Sequence, residues 1–196
     1  MNKNHTKQKI LDAALQLISQ KGYNGATTRE IARVAGVTEI TLFRHFGAKE
    51  KLFEELLKRF TFLPELRTLL PELTELSCEN ALIEVGIRFL ETLKRRKDFV
   101  RIMVCEVNVY PEKVREVYYR FIDELIQTLA VFFTNLKSQQ VFRDISSDMA
   151  ARAFLGMFFS YFNTEEIVRG HEISQHDKEQ AAQEFVSIFV HGTLKK

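Results

Sequence analysis

The stretch TTREIARVAGVTEITLFRHFGAKEKLF, Thr27 to Phe53, decides how this chain folds. It reads as two short helices joined by a tight glycine turn, followed at once by a third. Thr27 is an N-cap candidate with Glu30 three residues on, the spacing of a capping box. Ile31, Val34 and Ala35 then recur at helical spacing. Ala35-Gly36-Val37 breaks that helix. Gly36 can take a positive φ at little cost, and Val37 can pack into the angle between the helices. Thr38 is the next N-cap candidate. Leu42 and Phe46, four apart, share one face of the helix it starts. At about 100° per residue, Ile40, Thr41, Arg44 and His45 lie on the other side. Gly47 is a second stop, and Lys49 to Leu57 resumes a helical pattern.

A helix from Thr38 to His45 would be roughly 12 Å long at about 1.5 Å per residue. The DNA major groove is roughly 12 Å wide. With Leu42 and Phe46 anchored inward, the opposite face is free to meet base edges and phosphates. This is the geometry of a helix-turn-helix.

Charge supports that reading. Residues 1–59 hold 11 Lys and Arg against 6 Asp and Glu, while residues 60–196 hold 17 against 20. Positive charge therefore gathers on the segment that would meet a phosphate backbone.

The segment closely resembles the DNA-binding domain of the TetR family of bacterial transcriptional regulators. The matching residues are Thr28-Arg29-Glu30-Ile31-Ala32, Ala35-Gly36-Val37, Thr41-Leu42-Phe43-Arg44-His45-Phe46, Lys49-Glu50 and Leu52-Phe53. Upstream, Ile10-Leu11-Asp12-Ala13-Ala14, Leu17-Ile18 and Gly22-Tyr23 fit the family's first helix, so the likeness spans about residues 7–57. The resemblance implies a small all-α homodimer of about nine helices. A three-helix domain over 1–47 would bind a near-palindromic operator. Helix 48–62 would connect it to an effector-binding and dimerisation domain over 48–196.

Two positions depart from the family pattern. Where Tyr is frequent the chain has Phe43, which lacks a phenol to bond a phosphate. Where Gly is frequent it has Ile40, which could meet a thymine methyl or serve as a spacer. Glu39 is unusual on a helix facing DNA. It could accept from cytosine N4 or stabilise the helix N-terminus, and the second is favoured. Arg44 and Thr41 are the expected base readers. Thr28, Arg29, His45 and Lys49 are expected on phosphates, helped by the N–H groups opening the fourth helix, with Thr38 at the start of the reading helix.

Beyond Phe60 the pattern is helical, with no strand alternation and no repeat. Pro64 and Pro71 mark 63–78 as a linker or short helical turns. Asn80 to Lys97 is one amphipathic helix. Asp98 is an N-cap candidate for a short helix ending near Asn108, and Pro111 suits the first turn of the next. Residues 138–146 read as a connecting loop, Ser147 to about Val168 as a very apolar helix, and Asp177 to Leu194 as the last.

Of 17 phenylalanines, 14 follow residue 59, which marks the C-terminal part as the aromatic one. Phe154, Phe158, Phe159 and Phe162 are too many for a single stripe, so their helix should be buried on more than one side. The resemblance implies that the last two long helices pair across a dimer axis, with Phe158, Phe162, Phe185, Ile188 and Phe189 at or near it. It also implies an effector pocket, for which Phe89, Met103, Glu106, Tyr118, Phe121 and Phe159 are the candidates. Plain core is the favoured reading of each, and for Glu106 an exposed helix carboxylate rather than a buried acid facing a cationic effector. The run Lys94-Arg95-Arg96-Lys97 is read as a solvated helix terminus.

Other classes find little support. There is no Gly-rich phosphate loop, nucleophile elbow or paired-cysteine motif of an enzyme. His171 and His176 have no neighbouring cysteine to complete a metal site, so no metal and no cofactor are expected. Cys78 and Cys105 alone fit a reduced, cytoplasmic setting better than a secreted scaffold. No stretch approaches the roughly 20 apolar residues of a membrane span, and Asp12, Gln16 and Ser19 make the first helix amphipathic rather than a leader. An architectural DNA-binding protein without effector is the alternative reading. The length of chain beyond the helix-turn-helix speaks against it.

Overall fold

The computed structural model describes residues 3–138 and 144–193. Among these the chain is helical with no strand. The helices are α1 (Lys3–Gly25), α2 (Thr28–Val34), α3 (Glu39–Phe46), α4 (Lys49–Phe60), α5 (Phe62–Glu72), α6 (Cys78–Arg95), α7 (Lys97–Glu106), α8 (Glu112–Ser138), α9 (Ser147–Phe162) and α10 (Gln175–Thr193). Packing divides them into two compact units. One comprises residues 1–60 with 96–121, the other 61–95 with 122–196.

In the first unit α1 packs against α2, α4 and α7, and α3 lies between α2 and α4. Ile10, Leu11, Ala14, Leu17 and Ile18 recur every three or four residues along α1, and all are buried. They meet Ile31 of α2, Leu42 of α3 and Leu52, Phe53 and Leu56 of α4 in one core. Helix α1 is broken at Gly22, whose φ is 74°. A Cβ there would run into the Glu106 carboxylate as well as strain the backbone. Just past the break Tyr23 turns inward. Its ring meets Phe53 at 5.2 Å and Tyr110 at 5.7 Å, both edge to face.

In the second unit α6 packs on α5, α9 and α10. Phe154, Phe158 and Phe162 form a stripe at four-residue spacing on α9, and all three are fully buried. Phe154 stacks within 5.0–6.1 Å of Phe158, Phe133 and Phe189. Phe158 also lies over Gly86, where a Cβ would overlap its ring. Phe159, off this stripe, is half-buried. The resemblance places Phe158, Phe162 and Phe189 at a subunit interface, but these rings are enclosed by their own chain and have little surface to give a partner.

Several boundaries differ from the sequence reading. Of the two readings of 63–78 the helical one holds, but as a longer element than short turns: α5 occupies eleven residues of it and its flank, followed by a single 3-10 turn at Leu73–Glu75. Pro64 falls in the first turn, where its missing N–H costs nothing, and Pro71 is the penultimate residue, so neither interrupts the helix. Asp98 is not an N-cap. It sits inside the first turn of α7 and pairs with Arg101 at 3.3 Å, while Arg96 holds the cap position. Pro111 precedes α8, its carbonyl accepting from Val114 and Arg115. Helix α9 continues to Val168 as a π-turn, Asn163–Val168. That turn buries Glu166, whose carboxylate accepts the Ile173 N–H at 2.8 Å and so satisfies the chain before α10. Most of the expected 138–146 loop lies outside the described residues.

Gly86→Ala should overpack the α6–α9 contact and cost about 1–3 kcal/mol. Phe158→Ala alone should cost about 3–5 kcal/mol. In urea unfolding the double variant should lose clearly less than the sum of the two, because the new methyl enters the space the ring leaves.

Candidate nucleic-acid interface

The helix-turn-helix is held together by its own polar residues before anything binds it. Thr27 Oγ1 accepts the Glu30 N–H at 3.2 Å, capping α2. The Glu30 carboxylate turns to Lys21 Nζ at 2.6 Å, so the capping box is made on one side only. The chain then turns through Gly36 at φ 68°. Thr38 Oγ1 accepts the Thr41 N–H at 3.2 Å, capping α3, and lies 2.9 Å from the Thr41 hydroxyl. Gly47 ends α3 at φ 76°.

Glu39 has a partner that sequence spacing did not suggest. The Thr28 hydroxyl donates to its carboxylate at 2.5 Å, tying the start of α2 to the start of α3. A hydroxyl proton given to Glu39 is not available to a phosphate, so Thr28 would serve a backbone contact through its own N–H. Glu39 thus has a structural role within the motif, in the first turn of α3 where its charge also suits the helix N-terminus.

With Leu42 and Phe46 buried, the outward line of α3 is Ile40 and Arg44. Ile40 is 81% exposed. Arg44 is exposed and makes no ion pair among the described residues. Thr41 and Phe43 flank this line, the second 43% exposed, and His45 is half-buried at the C-terminal end. Thr38 and Arg29 are exposed on the same motif.

Lys49 stands apart. Its ammonium donates to the Tyr23 carbonyl at 2.5 Å and lies 4.3 Å from the Tyr23 ring centroid. Burial lowers its pKa, opposed by the nearby Glu50. The first duty of Lys49 is therefore to satisfy the Tyr23 carbonyl, one of the orphan acceptors at the C-terminal end of α1, with only its remaining protons free to turn outward.

A basin of about 270 Å³ opens beside the end of α3, lined by Lys7, His45, Phe46, Lys51, Glu54, Glu55 and Lys58. Its lysines are paired: Lys7 with Glu55 at 2.6 Å, and Lys51 and Lys58 with Glu54 at 2.8 and 2.9 Å. Hydrogen bonds from Lys51 and Lys58 hold the Glu54 carboxyl down at about 2. The Lys51–Glu54–Lys58 pattern is local enough to have been seen, whereas nothing in the sequence links Lys7 to Glu55.

The candidate effector residues are divided between the units. Met103 is buried beneath Tyr110, whose hydroxyl points to its sulfur at 3.9 Å. Glu106 lies against Gly22 and beside Tyr110, and burial together with this carboxylate raises the Tyr110 phenol pKa. Tyr118 and Phe121 are half-buried on the edge of the same core. Phe89 is buried in the other unit against Phe62, ring centroids 5.0 Å apart. Among the described residues no helix is long and apolar enough to cross a membrane.

Comparison with known proteins places both parts of the chain. Residues 10–56 match the model for bacterial regulatory proteins of the tetR family, and residues 80–192 match the C-terminal domain of AefR-like transcriptional repressors. A Bacillus subtilis protein described as an uncharacterized HTH-type transcriptional regulator, YvkB, is 30% identical over 187 residues, 95% of this chain and 96% of that one. Among solved structures, a putative TetR-family regulator from Mesorhizobium loti covers all of both chains with a TM-score of 0.82 at 22% identity. The regulator FadR from Bacillus subtilis, solved in complex with stearoyl-CoA, covers 94% of this chain and 98% of its own, with a TM-score of 0.76 at 18% identity.

Lys49→Met should lose about 1.5–3 kcal/mol of stability, the range for a hydrogen bond to a charged group. Arg44→Ala, on the exposed face, should stay within about 0.5 kcal/mol of wild type in the same urea titration. A Glu54→Gln variant should show a pH-dependent deficit. The Glu54 carboxyl pKa is lowered on folding, so its stabilisation is complete above the unfolded value of 4.5 and disappears as pH falls through about 2. Because its lysine partners are more than half exposed, the deficit at pH 7 should be under about 1 kcal/mol. Unfolding curves of the two proteins should converge near pH 2.

Proposed function

We propose, for a chain that belongs to the TetR family of bacterial transcriptional regulators, that it acts as a homodimeric repressor of a near-palindromic DNA operator. It is a regulator and not an enzyme. The observation that carries the DNA reading is the outward line of α3, where an unpaired Arg44 and an exposed Ile40 project from a helix whose other face is anchored by Leu42 and Phe46. Arg44 reads a guanine edge in the major groove, with Thr41 beside it. Arg29, Thr38, His45 and the backbone N–H of Thr28 position the helix on phosphates. Lys7 and Lys51 join them by exchanging glutamate for phosphate. Lys49 contributes through whatever protons Tyr23 leaves free, and Phe43 through apolar contact. The functional division is a reading domain over 1–47, a connecting helix over 48–62 and a regulatory domain over 48–196.

Two such heads, one per subunit, would dock in successive major grooves about 34–36 Å apart. The dimer surface is best sought on the outward faces of α9 and α10. There Ile188 is 66% exposed and Ala153 and Gly156 are exposed, with Phe185 half-buried behind them. Repression is supported by the description of the matched C-terminal domain as that of a transcriptional repressor. A largely apolar effector is supported by the aromatic content of the C-terminal part and by the stearoyl-CoA bound to the structurally similar FadR. Its candidate contacts are Met103, Glu106, Tyr118 and Phe121 in the first unit and, separately, Phe89 and Phe159 in the second. An effector that releases DNA must bind the DNA-incompetent state more tightly, by linkage. The setting is the cytoplasm, where the operator is.

The test is selection of bound duplexes from a randomised library by the full-length protein, followed by titration against salt. A two-fold-symmetric consensus with half-sites one helical turn apart is expected. Arg44→Ala should relax the preference at one position of each half-site by about 1–3 kcal/mol. Failure of the wild-type protein to enrich any duplex at low salt would remove the DNA-binding reading.

A further inference from the structure

We infer that Ile40 reads the 5-methyl group of a thymine, and that this contact fixes one base of each operator half-site. The inference rests on the DNA-binding reading above and names the chemistry of one position within it.

Ile40 has no role inside the protein. It is 81% exposed, while Leu42 and Phe46 on the opposite face carry the packing of α3. A β-branched residue is also not a choice that favours a short helix, since Ile ranks below Ala, Leu, Lys and Glu in helix propensity. Its side chain is therefore an apolar group held in water on the most outward line of the motif. Phe43, three residues on, is 43% exposed and widens this apolar edge along α3. The exposed residues of the motif include Arg29, Arg33, Thr38 and Arg44, with Val34 and Phe43 apolar, while the half-buried Glu39 carboxylate is tied to Thr28. A mainly cationic surface with a small apolar edge matches a DNA groove, whose phosphates are anionic and whose one projecting alkyl group is the thymine methyl. A protein partner would want a larger apolar patch than one isoleucine and the edge of one ring.

Spacing sharpens the assignment. Ile40 and Arg44 are four residues apart, about 6 Å along the helix at 1.5 Å per residue. Base pairs repeat every 3.4 Å or so along each strand. The thymine should therefore lie within about two base pairs of the guanine that Arg44 reads.

The experiment uses the full-length protein and the duplex enriched from the randomised library. Each thymine in turn is replaced by deoxyuridine, which removes the methyl and leaves the pairing edge unchanged. Replacement at one position of each half-site should weaken binding about three- to fivefold, the worth of one buried methyl-sized group. Ile40→Ala, which removes an exposed side chain and leaves the core untouched, should bind the thymine and deoxyuridine duplexes equally. Equal binding of both duplexes by the wild-type protein, with the selected operator still bound tightly, overturns the inference and leaves the DNA reading standing. Sensitivity to deoxyuridine that persists in Ile40→Ala assigns the methyl to another residue and also overturns it. No binding to any duplex overturns the DNA reading itself.

Discussion

The break in α1 at Gly22 is the constraint on which the first unit depends. Only a residue without a Cβ fits the positive φ and the adjacent Glu106 carboxylate together. The break turns Tyr23 into the core, and Tyr23 then does three things at once. Its ring joins Phe53 and Tyr110 in an edge-to-face triad, its face supports Lys49, and its carbonyl accepts from the same ammonium. Helices α1 and α4 and the segment from α7 to α8 are thereby fastened at one point. Helix α2 packs on α1 and α3 packs on α2 and α4, so the helix-turn-helix inherits its position from that fastening.

Much of the motif was legible because its signals are local. Thr27, Gly36, Thr38 and Gly47 act as caps and turns through bonds spanning three or four residues, and each takes the conformation its sequence context prescribes. The inward set of Leu42 and Phe46 follows from the helical period alone. Pairings across the fold were not legible. Nothing local tells Thr28 to meet Glu39, Lys49 to reach back to Tyr23, or Lys7 to pair with Glu55.

The C-terminal aromatics illustrate a different limit. Period and composition say that Phe154, Phe158 and Phe162 are buried, but not what buries them. In the structure Gly86 gives up its side-chain volume so that Phe158 can enter, and Phe133 and Phe189 close over Phe154. An excess of phenylalanine can thus be absorbed within one chain. Prolines misled for a related reason. Pro64 stands in the first turn of α5, where its missing N–H was not needed, and Pro71 is its penultimate residue, where the one bond it removes, to the Arg67 carbonyl, falls at the helix end.

The bond between Thr28 and Glu39 holds a carboxylate at the first turn of α3. On the proposed reading, that charge acts on any phosphate within a Debye length, about 8 Å at physiological salt. A penalty shared by every duplex lowers affinity for operator and bulk chromosome by the same factor. The ratio between them, which decides occupancy in a cell, is then left to the outward side chains of α3.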